Sequence, residues 1–329
     1  MLVTLRITAY SQTAQEYFYR AIEKAKQEDY NGSIADFDKA IKLDANFAKA
    51  YYNRAVSKEN LKDYSGAIAD YDKATELDPI LVEAYFNRGL SKIEINDYNG
   101  AIDDLNKAIA LNPNLAEAFY NRAVSKGKLK DYIGAIADYD KAIKLDPKDP
   151  EAYYNRGLSK THIEDYQGSM MDFNKAIELN PNYLWAYVNR GVVKEKLKDY
   201  YGSIADFDEA IKLDANFAKA YYNRAVSKEN LKDYSGAISD YDKATEIDPY
   251  YSAAYLNKGI CKNKIYEPQK AIADFNKVIE INPNYAKAYA NRGISKILLG
   301  EKDGGCLDFS KARNLGFEKA DDMIKKYCN

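Results

Sequence analysis

The chain has 329 residues, and its 48 basic and 50 acidic side chains leave a formal net charge of −2 with the lone His162 neutral. A charge this close to balance provides no net field to attract nucleic acid or an anionic membrane surface. No run approaches the roughly 18 uninterrupted apolar residues of a spanning helix, which excludes membrane insertion.

Residues 1–13 form a leader outside the pattern that organises the rest of the chain. The leader is mildly apolar but contains Arg6, and Ala9 and Ser11 are spaced like the small residues before a signal-peptidase site. Because it lacks a basic start and its apolar part is short, we interpret it as a poorly ordered N-terminus of a cytoplasmic protein. The alternative is a truncated signal peptide in residues 1–11, which would indicate an exported or periplasmic protein.

The prolines reveal a period of 34 residues. Six of the eight are separated by 34 residues or twice 34, namely Pro79, Pro113, Pro147, Pro181, Pro249 and Pro283. Nine repeats follow in this register: 14–47, 48–81, 82–115, 116–149, 150–183, 184–217, 218–251, 252–285 and 286–319. A period of this length indicates stacked supersecondary units. The tail 320–329 carries Met323, Ile324 and Tyr327 among charged residues, which predicts a helix that caps the last repeat.

Each repeat, with its positions numbered here from 1 to 34, contains two helical patterns. An aromatic residue at position 4 precedes a small residue at 8, and a small residue at 20 precedes a bulky one at 24 and mostly Ala at 27. These steps of three or four predict a pair of amphipathic helices, about 49–61 and 64–76 in repeat 2. The acid at position 16 is expected to cap the second helix, and proline at 32 to end it. Because helices of about 13 residues are marginal alone in water, each pair must pack against its neighbours.

This pattern resembles the tetratricopeptide repeat, which has an aromatic residue at 4, small residues at 8, 20 and 27, an aromatic residue at 24 and proline at 32. The resemblance extends over residues 14–319, although Pro268 and Lys302 replace the usual Tyr at position 17 and Phe317 replaces the last proline. It implies an all-α, right-handed superhelical α-solenoid of antiparallel helix pairs. It also implies binding of protein or peptide segments on the concave face.

No sequence motif for catalysis or for a metal or cofactor site occurs. We interpret His162 as a solvated side chain and Cys261 as a small packing residue. Cys261, Cys306 and Cys328 are odd in number and lack C-x-x-C spacing, so we expect reduced thiols and neither a disulfide framework nor a zinc site. The sequence therefore predicts a non-enzymatic protein without a cofactor.

Opposite charges recur at positions 7 and 23. Position 7 is Arg in eight repeats and Lys258 in the other, position 23 is Asp in all nine, and position 11 is always Lys. Both sets fall near the seam between the two helices of a repeat. The pattern predicts a structural ladder that fixes the stacking register, with Arg54, Asp70, Arg88, Asp104, Arg122 and Asp138 among its members. The alternative is a series of exposed pairs worth about 0–1 kcal/mol each.

Asparagine recurs at position 6 in eight repeats: Asn53, Asn87, Asn121, Asn155, Asn189, Asn223, Asn257 and Asn291. In tetratricopeptide repeats this position lines the concave groove, and the array resembles the asparagine ladder of O-linked N-acetylglucosamine transferase. An amide both donates and accepts, so it can pair with an extended peptide backbone of almost any sequence. Aromatic residues at position 5 would add apolar contacts, namely Tyr52, Phe86, Tyr120, Tyr154 and Tyr222. The alternative is that each amide serves its own helix.

The function that these features predict is a peptide-binding scaffold. Co-chaperones of this family hold acidic C-terminal peptides with Lys at position 5 and Asn at 9, but here position 5 is aromatic or aliphatic and position 9 is Val, Leu or Ile. The sequence therefore disfavours that use of the repeat. An architectural or self-associating repeat protein is the alternative function.

Overall fold

The computed structural model describes residues 13–328, and this part of the chain is built from α-helices without a β-strand. The helices divide into two compact units, of which the first ends at Asp165 and the second begins at Tyr166. Within each unit every helix packs against the next one along the chain. The predicted all-α class of stacked helix pairs is confirmed. The prediction for the leader concerns residues that lie, except for Thr13, outside the described part.

The described helices follow the repeats in order. The first unit contains α1 (Ala14–Lys26), α2 (Tyr30–Leu43), α3 (Ala48–Asn60), α4 (Tyr64–Leu77), α5 (Val82–Glu94), α6 (Tyr98–Leu111), α7 (Ala116–Lys128), α8 (Tyr132–Leu145) and α9 (Pro150–His162). The second unit contains α10 (Tyr166–Leu179), α11 (Leu184–Lys196), α12 (Tyr200–Leu213), α13 (Ala218–Asn230), α14 (Tyr234–Ile247), α15 (Ser252–Lys264), α16 (Pro268–Ile281), α17 (Ala286–Leu298), α18 (Lys302–Asn314) and α19 (Ala320–Tyr327).

The turn between the two helices of a repeat depends on a capping aspartate and a glycine. In repeat 2, an Asp63 carboxylate oxygen accepts a hydrogen bond from the Gly66 amide at 2.9 Å. A Cβ atom on Gly66 would lie 2.1 Å from the other Asp63 oxygen, so this cap leaves no room for a side chain. The residue before the cap, Lys62, takes a left-handed conformation with φ of 61° and completes the tight turn.

The core of each repeat combines one large ring with small residues. Tyr71 at position 24 is fully buried among Ala55, Ala67 and Ala74, which are themselves without solvent exposure. Small side chains let the two helix backbones approach closely, and the ring fills the space that remains between them. Burial is thus local to each helix pair and its neighbours, as nearest-neighbour stacking requires.

The C-terminal tail forms a helix that covers the last repeat, and it corrects one expectation about the cysteines. Ala320 of α19 is buried with Phe317 and Met323 against the end of the array. Cys306 and Cys328 form a disulfide, with Cα atoms 5.8 Å apart. The expectation of reduced thiols is therefore wrong for these two residues, because α19 folds back on α18 and brings together cysteines separated by 22 residues. Cys261 is a free, buried thiol.

Candidate functional site

The candidate site lies on the first helices of the repeats. In the first unit α1, α3, α5, α7 and α9 contact one another in order, so their corresponding positions form a continuous surface. We call the residues at positions 5, 6, 9, 12 and 13 of the first helices the first-helix face; these helices are α1, α3, α5, α7 and α9 in the first unit and α11, α13, α15 and α17 in the second. The predicted asparagines and aromatic residues lie on it and are partly exposed.

The position 6 asparagines have two kinds of hydrogen bond. In the first kind, the side-chain amide donates to the backbone carbonyl four residues earlier, as Asn53 does to Lys49 at 2.7 Å. The same bond is made by Asn121, Asn189 and Asn291. In the second kind, the amide donates to a tyrosine of the preceding repeat.

The second kind connects repeats directly. Asn155 Nδ2 donates to the Tyr120 hydroxyl at 2.9 Å. Asn87 and Asn257 make corresponding bonds to the position 5 tyrosines of the repeats before them. Asn223 is different, because its Nδ2 atom is buried without a hydrogen-bond partner. Among the described residues, no protein group donates to the side-chain Oδ1 atoms of Asn53, Asn121 and Asn155, so these acceptors can serve a ligand.

The position 5 aromatic residues are half-buried, so that part of each ring is exposed. The rings of Tyr52, Tyr120 and Tyr222 lie 5.7–5.8 Å from the position 24 rings of their own repeats. Burial raises the pKa of the Tyr52 and Tyr222 hydroxyls, which stay protonated and accept hydrogen bonds from the next repeat. Phe86 and Tyr154 are likewise half-buried. Each position 5 aromatic side chain can therefore contact a ligand with only part of its ring.

The structure brings the charged residues of the predicted ladder together. Arg54 Nε and Nη2 donate to both oxygens of Asp70, at 2.8 and 2.5 Å, and Lys58 Nζ lies 2.7 Å from the same carboxylate. Arg54 Nη1 also donates to Asp38 of the preceding repeat, and the guanidinium lies over the Tyr51 ring at 5.4 Å. One arginine thus connects two repeats.

The same arrangement recurs along both units. Bidentate pairs are formed by Arg20–Asp36, Arg88–Asp104, Arg122–Asp138, Arg190–Asp206, Arg224–Asp240 and Arg292–Asp308, and Lys258 pairs with Asp274. The carboxylates are buried, so water screens these pairs less than it screens surface pairs. They lie at the seam within each repeat, where the sequence predicts a structural ladder.

Sequence reasoning missed a group of acids at one end of α7. Glu117, Asp146, Asp149 and Glu151 line a cleft of about 280 Å³ with Tyr120, which we call the acidic cleft. The signal in the sequence was Asp149 at position 34. Seven other repeats have a large apolar residue there: Phe47, Leu81, Leu115, Tyr183, Phe217, Tyr251 and Tyr285.

A second cleft opens near the other end of α7. Val124, Tyr139 and Leu158 line a space of about 230 Å³ beside Gly127, which we call the apolar cleft. His162 also lines it and stacks on Tyr132, with ring centroids 4.3 Å apart. The histidine is exposed, as expected, but it is held by this stack.

Neither cleft has the geometry of a metal centre. Within residues 13–328, no three His, Cys, Asp or Glu side chains converge as metal ligands.

Burial raises the pKa of the Cys261 thiol, which therefore stays protonated and unreactive near neutral pH. No helix in the described range is long and apolar enough to cross a membrane.

Comparison with protein families gives repeated matches. A model described as TPR repeat matches residues 23–62, 91–130 and 128–160. Two models described as tetratricopeptide repeat match 48–80 and 218–251, and 150–183, 186–217 and 252–285. Together these matches cover more than half of the chain. No curated protein sequence matched the chain.

Solved structures with the same fold cover most of the repeats. A tetratricopeptide repeat protein from Parabacteroides merdae is 20% identical with a TM-score of 0.56, covering 75% of this chain and 99% of its own. The C-terminal part of a TPR repeat-containing protein from Cytophaga hutchinsonii is 18% identical with a TM-score of 0.63, covering 72% and 97%. YrrB, described as a TPR protein with an unusual peptide-binding site, is 27% identical with a TM-score of 0.50, covering 56% and 95%.

Proposed function

Because the chain belongs to the tetratricopeptide repeat family, we propose that it is a non-enzymatic scaffold that binds extended protein segments on a concave first-helix face. The asparagine array supplies hydrogen bonds to the backbone of the bound segment. The position 5 rings and the aliphatic residues at position 9 supply apolar contacts. The bound segment crosses several repeats, each of which contributes a similar set of contacts.

The observation that supports this proposal most is the pairing state of the asparagines. Asn53, Asn121 and Asn155 each use an amide hydrogen within the protein, and this bond fixes the side chain in place. Their side-chain Oδ1 atoms have no donor among the described residues, so each can accept from a backbone N–H of a ligand. Packed helices lie about 8–10 Å apart. An extended chain rises about 3.3 Å per residue, so neighbouring amides would meet every third ligand residue.

The similarity to YrrB is consistent with this use of the fold, since that protein is described as having a peptide-binding site. No repeat of this chain has Lys at position 5. The cation with which co-chaperones of this family hold acidic C-terminal peptides is therefore missing from that position. Binding through backbone groups fits the array better.

The disulfide provides an argument about whether the protein is cytoplasmic or exported. Disulfides persist in oxidising compartments and are rare in a reducing cytosol. The Cys306–Cys328 bond therefore favours the exported alternative over a cytoplasmic protein. Mass spectrometry of the native protein tests this proposal, since export predicts a chain that begins after the leader with both thiols resistant to alkylation. A native chain that retains Met1 and has both thiols alkylated would contradict it.

The function is tested by capturing partners from native cells with a triple variant, Asn121→Ala, Asn155→Ala and Asn189→Ala. The matched control changes three exposed asparagines at position 33, Asn114, Asn182 and Asn284, to Ala. We expect the first variant to lose partners that the wild type and the control retain. Identical partner sets for all three would reject the first-helix face as the binding surface. Concentration-dependent oligomers without any partner would favour the architectural alternative.

A further inference from the structure

Repeat 4 departs from the other repeats at two positions, and both departures open space on the first-helix face. At position 34, rings in other repeats pack on the position 5 residue. Phe47 lies 4.8 Å from Phe18, and Tyr251 lies 4.9 Å from Tyr222, between ring centroids. Asp149 stands in place of such a ring, so one side of Tyr120 borders the acidic cleft.

No Lys or Arg is among the residues that line the acidic cleft, which has four carboxylates. Asp146 and Asp149 each accept one backbone amide, at 3.1 Å from Lys148 and 2.9 Å from Glu151. Glu151 accepts from the Tyr120 hydroxyl at 3.3 Å. No ion pair involving the four cleft carboxylates occurs within residues 13–328. Burial and the negative charges of Glu151 and Asp149 raise the pKa of the Tyr120 hydroxyl.

The apolar cleft has its own cause, at position 12. Gly127 occupies this position in repeat 4, and a Cβ atom added to it would meet no heavy atom within 4 Å. Repeat 1 has Ala25 at position 12 and a similar cleft of about 260 Å³. Larger residues stand there in the other repeats: Glu59, Ile93, Thr161, Glu195, Glu229, Asn263 and Ile297. In repeat 2, Glu59 occupies the corresponding place and accepts from the Tyr71 hydroxyl at 2.7 Å.

The two clefts lie along one helix at a separation that a short peptide can span. The acidic cleft involves α7 residues 116–121, and the apolar cleft involves α7 residues 124–128. Their centres are about eight residues apart, or about 12 Å at a rise of about 1.5 Å per residue. An extended chain covers this distance in three or four residues at about 3.3 Å each. Each cleft is smaller than the roughly 300–1,000 Å³ of ligand pockets, a size that fits one side chain.

We propose that repeat 4 selects extended partner segments that carry a Lys or Arg three or four residues from a large apolar side chain. The cation lies in the acidic cleft and the apolar side chain lies beside Gly127, while Asn121 contacts the backbone between them. This proposal rests on the proposed function, because it assigns side-chain preferences to the same face. Charge complementarity identifies the partner as basic at this point, in contrast to the acidic tails bound by co-chaperones of the family.

The experiment measures binding of fluorescent ten-residue peptides to the full chain by anisotropy. The peptides carry Lys and Phe separated by two or three serines, in both orders, and matched peptides carry Glu for Lys or Ser for Phe. We expect at least one Lys–Phe peptide to bind at least tenfold more tightly than its Glu or Ser counterpart. The preference for Lys over Glu should shrink as salt is raised, because exposed charges are screened.

Variants then assign each preference to its cleft. Asp149→Leu restores a residue type used at position 34 elsewhere, and should remove the Lys preference. Gly127→Glu introduces the residue found at this position in repeats 2, 6 and 7, and should remove the Phe preference. Asp103→Leu, at an exposed acid outside the first-helix face, is the matched control and should change neither. Thermal melting monitored by circular dichroism checks that each variant is folded.

Several outcomes would overturn the inference. These are equal binding of Lys and Glu peptides, absence of binding at millimolar peptide, or preferences that survive both cleft variants. In another outcome, all peptides bind equally tightly while the triple asparagine variant binds every one of them more weakly. This result would contradict the side-chain preference and support the proposed function. If that triple variant leaves every peptide unaffected, the proposed function fails as well.

Discussion

At the scale of single residues, the arginine at position 7 connects one repeat to the next. Arg54 pairs with Asp70 in its own repeat and with Asp38 in the repeat before. Asp70 is only 4% exposed, so removing its positive partners would leave a buried charge. Breaking a buried pair is costly even where the intact pair adds little net stability. We propose that the ladder favours one stacking register over alternatives.

A double-mutant cycle tests this role. We expect Asp70→Asn and Arg54→Met each to destabilise the protein by about 3 kcal/mol, because each breaks the bidentate pair at the buried seam. The remaining charge is left with only one partner, Lys58 for Asp70 or Asp38 for Arg54. The double variant should cost less than the sum by more than about 1 kcal/mol, since the two residues interact directly. Urea denaturation gives these values. The exposed pair Lys73–Glu76 is the control, with an expected coupling of about 0–1 kcal/mol. Additive effects at Arg54 and Asp70 would contradict the ladder.

Asp36 gives the ladder a predictable dependence on pH. Hydrogen bonding from the Arg20 guanidinium holds the pKa of this carboxyl well below its usual range. A carboxyl with a lowered folded-state pKa stabilises the fold above its unfolded pKa of about 4, and this contribution is lost as pH falls. Asp36→Asn should therefore lose less stability than the wild type between pH 6 and pH 3. Parallel loss in the two proteins, measured by urea denaturation, would contradict this account of Asp36.

The sequence predicts the charged pairs better than the asparagine bonds. Arginine and aspartate recur 16 residues apart on two helix faces that must meet, so their pairing follows from periodicity alone. The amide of Asn121 instead bonds within its helix, while that of Asn155 bonds to Tyr120. This choice depends on whether the preceding repeat presents a hydroxyl within reach. It is set by packing between repeats and cannot be read from position 6.

At the scale of helices and turns, two glycines have opposite roles. Gly66 is required because the Asp63 cap occupies the space of its side chain. Gly127 lies in the last turn of α7 with open space around it, and glycine is a poorer helix former than alanine there. Sequence periodicity predicted the capping aspartate. It could not distinguish a glycine that a cap requires from one that leaves a cleft open.

Matched substitutions at these glycines should have opposite signs. Gly127→Ala should stabilise the chain by up to about 1 kcal/mol, because alanine is the better helix former and its Cβ meets no atom. Gly66→Ala should destabilise it by about 1–2 kcal/mol through displacement of the Asp63 cap. Thermal melting of the two variants checks both signs. Destabilisation by Gly127→Ala would contradict the open space beside α7.

At the scale of the whole molecule, stability is distributed over nearest-neighbour contacts, and the ends need separate protection. The apolar spacing of the tail predicted a cap, and α19 occupies that place. The disulfide escaped prediction because it depends on how α19 folds back on α18, which no sequence spacing records. The eight residues of α19 are too few for a stable isolated helix, so the covalent bond to α18 holds the cap in place.

Removing this bond should loosen the cap without unfolding the repeats. A disulfide that closes a loop of this size contributes about 3 kcal/mol through the unfolded chain. We expect Cys328→Ser to raise amide hydrogen exchange in residues 317–327 by at least tenfold and to leave α11–α14 unchanged. Cys261→Ser controls for loss of a thiol. Uniform acceleration along the chain would show that the cap is not an independent end unit.

The first-helix face is the surface that we propose meets partners. Photo-crosslinking in native cells tests this directly, with a benzophenone amino acid in place of Tyr120 or, as control, of Ile133, which is 74% exposed on α8 outside that face. We predict that Tyr120 captures partner segments and that Ile133 captures none of them. Capture of the same partners from Ile133, with none from Tyr120, would contradict the assignment of the binding surface.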